Sequence, residues 1–358
     1  MRILTAMSGG VDSSVAAKLL RDAGHECIGC IGCTMKLYDN SDSGVPKGHT
    51  CCSLDDTADA RSVAYKLGMR YYVFNFAEDF REQVIGRFAG GYLRGITPNP
   101  CIDCNRYMKF GKLFQRAREL GCDHVATGHY ARILFDGEKY LLKKGADKSK
   151  DQSYVLYFMT QDQLAWTLFP LGDLHKSEVR RIAAGSGFVT AAKPDSQDIC
   201  FAPDGDYAGA IERYSGQISE PGDFVSADGS VLGRHRGIVH YTVGQHRGLG
   251  LGLGLPERRY VCSICPEENK VVLGGEEELL RREFFAGDFN WISGEAPAGA
   301  LRCRVKVRYR HREQPAEAFP QSDGTVRILF DESQRAVTPG QSAVLYSGDT
   351  VLGGGVIL

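Results

Sequence analysis

The sequence predicts an α/β chain: an open, mainly parallel sheet with helices on both faces, then a small β-rich central module, then a C-terminal β-barrel. Three observations carry this. Strand and helix patterns alternate through the first two hundred residues. Composition then turns glycine-rich over 202–275, with a Leu-Gly repeat at 248–256 ahead of a proline. From about residue 280, short strands are separated by turns at 293–299, 321–324 and 331–334, with no strong helix pattern. The expected domains are 1–205, 206–278 and 279–358.

Taken in order, Arg2 to Met7 is a short apolar run of the kind a buried strand shows, and Val15 to Arg21 has helical spacing. Further strands are expected at 26–34, 70–75, 123–127 and 130–135. Helices are expected at 13–23, 55–68, 77–92, 105–120 and 175–186. Three loops interrupt them: 38–54, rich in Asp, Asn, Ser and Gly; 93–104, stiffened by Pro98 and Pro100; and 143–153, rich in Lys, Asp and Ser. In an open parallel sheet the ligand lies beyond the carboxyl ends of the strands.

The 358 residues are 43% hydrophobic and 24% charged, the balance of a soluble globular protein. No apolar run reaches the length of a membrane span, and the chain enters a strand at once with no signal-peptide pattern, so the expected location is the cytoplasm. A net charge of −1 gives no general affinity for nucleic acid, so an RNA site must come from local clustering. Twelve cysteines in such a chain point to reactive or metal-binding thiols before structural disulfides. They fall as Cys27, Cys30, Cys33, Cys51 and Cys52; Cys101 and Cys104; Cys122 and Cys200; Cys262, Cys265 and Cys303.

Four constellations carry chemistry. The first is Ala6, Met7, Ser8, Gly9, Gly10, Val11, Asp12, Ser13 and Ser14, a glycine-rich loop between a strand and a helix. Glycines let backbone approach an anion, and amides at a helix start face it. No Gly-Lys-Ser/Thr follows, so this is not a Walker loop. Ser8 to Ser13 resembles the pyrophosphatase loop (PP-loop) of Rossmann-like enzymes that cleave ATP to AMP and pyrophosphate. ATP phosphates are then expected on Ser8, Gly9, Gly10, Asp12, Ser13 and Ser14, with Mg²⁺ offsetting their charge. Met35 and Gly128 follow strands where an adenosine could rest, though either residue type also serves packing.

The second constellation is Cys101 and Cys104 with the distant Cys200. Cys104 precedes a helical pattern, where the helix dipole stabilises a thiolate. Cys200 ends a polar loop, Lys193 to Phe201. Cys27, Cys30 and Cys33 have knuckle spacing, but in a predicted buried strand core packing is preferred; Cys262 and Cys265 receive no role. The third is Leu301 to Arg312, where Arg302, Arg304, Lys306, Arg308, Arg310 and Arg312 alternate with apolar residues. On one continuous strand all six cations would share a face, roughly 6.6 Å apart, and a polyanion such as RNA would relieve their repulsion. A solvated basic edge is the alternative. The fourth, Lys148 to Tyr154, mixes cations, an amide and an aromatic ring, and is weak alone.

Together these features resemble the bacterial tRNA-specific 2-thiouridylase family along nearly the whole chain. The match covers Ala6–Ser14, Met35–Tyr38, Thr97–Pro100, Cys104-Asn105, Lys109-Phe110, Ala126–Tyr130, Lys150–Tyr154, Pro170–Gly172, Lys193–Phe201, Tyr241–Gln245 and Val305–Arg310. The resemblance implies an ATP-dependent sulfurtransferase. ATP adenylates the 2-oxygen of the anticodon wobble uridine of tRNA, and sulfur then replaces it to give 2-thiouridine, AMP and pyrophosphate. It implies that Cys200 carries a persulfide, received from a sulfur-relay protein or cysteine desulfurase. Cys104 then releases the sulfur, leaving a Cys104–Cys200 disulfide. Asp12 joins the catalytic set. By the same likeness, Asn99, Pro100 and Cys101 meet the target base, while His129, Lys150, Asp151, Gln152, Tyr309, Arg310 and Gln341 meet the tRNA. No resident metal is expected in that scheme.

Many family members carry aspartate where this chain has Cys101, so that carboxylate is missing, though Asp103 is close. The change creates Cys101-x-x-Cys104, which with Cys200 offers three thiols for an iron–sulfur cluster as an alternative route. An RNA-binding protein that does not thiolate is the alternative of another class.

Overall fold

The computed structural model describes residues 1–33, 54–195, 199–202, 205–251 and 258–358. Met35, Cys51 and Cys52, most of the 38–54 loop, residues 196–198 ahead of Cys200 and most of the Leu-Gly repeat lie outside the described residues, as does the Cys33 side chain.

Strands β1 (Arg2–Ala6), β2 (Glu26–Cys33), β3 (Arg70–Asn75) and β4 (His124–Ala126) form a parallel sheet with the two-residue β7 (Thr167–Leu168), in the order β3-β2-β1-β4-β7. Ile3 and Leu4 of the central β1 are fully buried, as a strand covered on both faces requires. The chain runs outward from β1 to β3 and then returns to β4 on the other side. The order therefore reverses between β1 and β4, and the crevice for a ligand opens there. Helix α1 (Val11–Asp22) leaves that crevice with Val11, Val15, Ala16, Ala17 and Leu20 turned inward. α2 is Leu54–Lys66.

The expected helices at 77–92 and 105–120 are each interrupted by π-helical turns. One runs Ala77–Phe80, Arg81–Gly86 (π) and Arg87–Leu93; the other runs Pro100–Asp103, Cys104–Lys112 (π) and Leu113–Glu119. Such turns recur at functional sites.

The 130–135 segment does not join the parallel sheet. It is β5 (Ala131–Phe135), pairing antiparallel with β6 (Tyr140–Lys144), and this hairpin hangs on the C-terminal sheet through Lys143 and Thr350. The glycine-rich region begins with a helix, Tyr207–Ser215, capped by the Asp206 carboxylate and ended by the left-handed Gly216. It continues as a four-stranded sheet, β10-β11-β8-β9, from β8 (Gly222–Val225), β9 (Val231–His235), β10 (Tyr260–Cys265) and β11 (Lys270–Gly274).

The C-terminal strands are β12 (Leu280–Trp291), β13 (Leu301–Lys306), β14 (Gln314–Pro320), β15 (Val326–Arg335), β16 (Ser342–Ser347) and β17 (Thr350–Ile357). They pair β12-β15-β14-β13-β16-β17, and β17 returns to β12, closing an antiparallel barrel around Val305, Ala316, Ile328, Phe330 and Leu345. A separate apolar cluster is shared between regions: Ile102 and Phe110 of the helix, Tyr154 to Met159, and Val344, Tyr346 and Val351 of the barrel. Large apolar side chains buried in this way contribute roughly 1.5–3 kcal/mol each.

Candidate active site

The loop after β1 meets the loop after β4 backbone to backbone. Gly9 has φ +74°, and a Cβ there would collide with the Asp56 carbonyl, so glycine is required on both counts. A Cβ at Gly128 would stand 2.8 Å from the Ser13 amide nitrogen. Within the loop, the Ser8 amide donates to Ser13 Oγ (3.1 Å), while the Ser13 and Ser14 hydroxyls both donate to the Gly10 carbonyl. Thr190 Oγ1 donates to Ser14 Oγ at 3.0 Å.

Around this cradle stands a network of four cations and four carboxylates. Lys176 Nζ donates to both Asp12 oxygens at 2.7 and 2.8 Å, and the Tyr130 hydroxyl donates to the same carboxylate at 2.7 Å. Lys176 also lies 2.9 Å from Asp195, which takes Lys150 at 2.8 Å and Arg180 at 2.7 Å. Burial alone would raise the Asp195 pKa, but the bonds and charges of Lys150 and Lys176 outweigh it and hold the carboxyl at about 2. Lys193 donates to the Gly9 carbonyl (3.1 Å) and to Asp56 (2.8 Å), and pairs with Asp59 at 2.5 Å. A polyphosphate entering the cradle would find these four cations at hand and compete with the carboxylates for them. Both oxygens of Asp12 are engaged by Lys176 in this arrangement.

Most of this network escaped the sequence reading. Lys193 and Asp195 lie in the Cys200 loop without an assigned role. Lys176 shares its helix's buried face with Val179 and Ala183, and a lysine at that spacing is the signal that was available.

The cysteines sit at the same end of the sheet. Cys104 and Cys200 are both half-buried and pack on one apolar cluster with Ala6 at the end of β1 and with Leu4, Phe88, Met108 and Phe201. Cys101 is exposed. The Asn99 side chain accepts from the Cys101 amide at 3.1 Å and Pro100 takes the first helical position, which fixes the helix start. Asp103, two residues from Cys101, points about 200° around the helix from it. It lies 3.4 Å from Arg87, in a cleft of about 520 Å³ shared with Arg106 and Asp288. Burial pushes its carboxyl up to about 6 against the Arg87 charge. Asp103 therefore faces the Arg87 cleft and not the side on which Cys101 stands. Among the described residues no group of three or more His, Cys, Asp or Glu side chains is placed to hold a metal ion, and Cys101, Cys104 and Cys200 form none. Cys27 and Cys30 are buried in β2, with burial raising both thiols. Cys262 and Cys265 are half-buried.

The expected RNA contacts separate into two sets. Lys150 is held by Asp195; Asp151 accepts from the Gly145 and Ser153 amides; Gln152 Oε1 accepts from the Tyr130 amide. The Tyr309 hydroxyl donates to the Asp151 carbonyl (3.2 Å), and Gln341 Nε2 to the Thr97 carbonyl (2.7 Å), so barrel and helix loop are tied together here. The His129 ring is buried between Phe110 and Phe169, with Nδ1 2.7 Å from Thr127 Oγ1, and burial beside Lys109 lowers its pKa well below the usual histidine range. In this conformation it supports the loop from inside and presents no surface to RNA. Arg310 is exposed.

The six-cation face is not formed. β13 ends at Lys306, and a turn closed by the His311 amide on the Arg308 carbonyl follows. Arg302 forms a two-point pair with Asp331, Arg304 donates to the Glu313 carbonyl, and Lys306 lies over the Tyr154 and Tyr309 rings. Arg302 and Arg304 are exposed but paired, whereas Arg308, Arg310 and Arg312 are exposed on the turn and beyond it.

Family models match three successive stretches. One described as a tRNA methyl transferase HUP domain covers 1–204, a tRNA methyl transferase PRC-barrel domain covers 210–275, and an aminomethyltransferase beta-barrel domain covers 281–357. Full-length relatives carry another name. The tRNA-specific 2-thiouridylase MnmA of Moorella thermoacetica is 51% identical over 358 residues, 99% of this chain and 98% of that protein. Those of Acetivibrio thermocellus (49% over 360 residues, 99% of each chain) and Clostridioides difficile (48% over 358, 99% and 98%) are alike. Identity near one half across both full lengths is more specific than the domain descriptions. No helix among the described residues is long and apolar enough to cross a membrane. This chain belongs to the tRNA-specific 2-thiouridylase family.

Proposed function

We propose that the protein is an ATP-dependent tRNA sulfurtransferase, working in the cytoplasm, that converts the anticodon wobble uridine to 2-thiouridine. One observation carries this reading: Ala6, at the end of β1 where the glycine cradle begins, packs on the same apolar cluster as the thiols Cys104 and Cys200. Activation and sulfur transfer would thus occur at neighbouring points. ATP, arriving with Mg²⁺ as its counter-ion, places its phosphates on the Ser8–Ser14 loop, where Lys176 and Lys193 can take up charge as pyrophosphate leaves. The uridine 2-oxygen takes the adenylyl group and becomes a good leaving group. A persulfide on Cys200, loaded by a sulfur-relay protein or desulfurase, attacks carbon 2 and displaces AMP. The Cys104 thiolate then attacks Cys200 Sγ, the sulfur–sulfur bond breaks, and sulfur stays on the base while a Cys104–Cys200 disulfide forms.

The test is mass analysis of tRNA incubated with the protein, ATP and a sulfide source. Asp12→Ala should release neither AMP nor pyrophosphate, and Cys200→Ala should adenylate without thiolating. Full thiolation by Cys200→Ala would remove Cys200 as sulfur carrier.

A further inference from the structure

Each turnover in the scheme above ends with the sulfur carrier oxidised, and that disulfide must be reopened before Cys200 can be loaded again. Cys104 and Cys200 are both half-buried against the β1 cluster. A protein-sized dithiol needs an exposed sulfur to attack, because exchange passes through a mixed disulfide in line with the bond broken. Cys101 is exposed, one helical turn before Cys104.

We propose that Cys101 is a resolving thiol: it attacks Cys104 Sγ in the Cys104–Cys200 disulfide and delivers the resulting Cys101–Cys104 disulfide to a dithiol reductant at the surface. This rests on the sulfurtransferase reading. The exchange is balanced. The Cys101–Cys104 bond forms as Cys104–Cys200 breaks, Cys200 leaves as a thiolate, and the proton lost by Cys101 restores the Cys200 thiol. An external dithiol then supplies two electrons, is itself oxidised to a disulfide, and returns Cys101 and Cys104 to thiols.

The local backbone permits the step. Residues three apart on a helix have Cβ atoms about 5–6 Å apart, and a disulfide needs about 3.8 Å, so the first turn must tighten by about 1–2 Å. That turn is the one whose amides lack intrahelical partners; the Asn99 side chain holds the Cys101 amide, and the wider π-helical section begins at Cys104.

The experiment is disulfide mapping by acid quench, alkylation and mass spectrometry, in two arms. In the first, persulfide-loaded protein is given ATP and tRNA without reductant, and disulfides are counted per 2-thiouridine formed. The expected product is Cys101–Cys104 with Cys200 alkylated in equal amount; Cys101→Ser should instead retain Cys104–Cys200 with Cys200 blocked. A wild-type protein that stops at Cys104–Cys200 with Cys101 alkylated overturns the proposal. In the second arm, the protein is oxidised with diamide in the absence of RNA. Cys101–Cys104 as the terminal pair supports the proposal, and Cys104–Cys200 as the terminal pair defeats it. Absence of 2-thiouridine in the first arm with Cys101–Cys104 formed in the second would sink the sulfurtransferase reading and leave the thiol pairing standing.

Discussion

Lys176 and Asp12 form a two-point ion pair, with Nζ 2.7 Å from one carboxylate oxygen and 2.8 Å from the other. The lysine side chain is 11% exposed, so its charge is neutralised by protein far more than by water. Removing it as Lys176→Met leaves Asp12 and Asp195 facing one another without the cation between them. The expected cost is about 2–3 kcal/mol in chemical denaturation, together with loss of ATP-dependent pyrophosphate release. The pair Lys176→Met/Asp12→Asn should regain part of the stability and none of the activity. Equal stability of the single and double variants would show that the two residues are not coupled.

Gly128→Ala separates nucleotide binding from general stability. The new methyl would press on the Ser13 amide and the Asp12 carbonyl carbon at 2.8 and 2.9 Å, backbone atoms that cannot rotate away. The loop must shift instead, at a cost of about 1–3 kcal/mol. Pyrophosphate release should fall by more than roughly tenfold, since misplacement near 1 Å carries penalties of that order or greater, while far-ultraviolet circular dichroism stays that of the wild type.

Asp103 gives a signature in pH. Burial raises its carboxyl to about 6 in the folded protein, against the partly compensating charge of Arg87. A carboxyl with a higher pKa folded than unfolded binds its proton more tightly in the native state. Stability is therefore favoured at low pH and declines as pH rises from about 4 through about 6. The decline is on the order of 3 kcal/mol. Denaturation of Asp103→Asn across pH 4 to 7 should lack that component, so the difference between variant and wild type isolates it from other titrating groups. A constant difference over the range would contradict the assignment.

Binding to tRNA should depend unequally on the cations of 301–312. Arg302 is paired with Asp331, whereas Arg308 and Arg310 are exposed beyond the end of β13. Arg308→Glu with Arg310→Glu should weaken binding and lower the salt slope by about one to two. Arg302→Ala should change the slope little. Filter binding over a salt series distinguishes them.

What the sequence made legible follows from what periodicity measures. The apolar run of Arg2–Met7 and the loop after it are found as a strand leading into a helix, because both signals are local. The segment 130–135 reads as a strand and is one, but alternation says nothing about which sheet accepts it. Leu301 to Arg312 keeps its alternating pattern past Lys306 although the strand does not; Val307 is still buried, and the chain turns immediately after it. Lys176 was passed over, and the burial of His129 was not foreseen, for a common reason. A polar residue in a short motif reads as surface, and only tertiary structure supplies the Asp12 carboxylate or the aromatic rings that make burial tolerable.

The hairpin 131–144 and the cluster joining Ile102 and Phe110 to Val344 and Tyr346 mean that the barrel and the cysteine-bearing helix share one interior. A fragment cut at residue 279 would expose half of a core, and the remainder would expose the other half. The arginine turn beyond β13 and the helix that carries Cys104 therefore belong to one folded unit, and their separation is set when the chain folds.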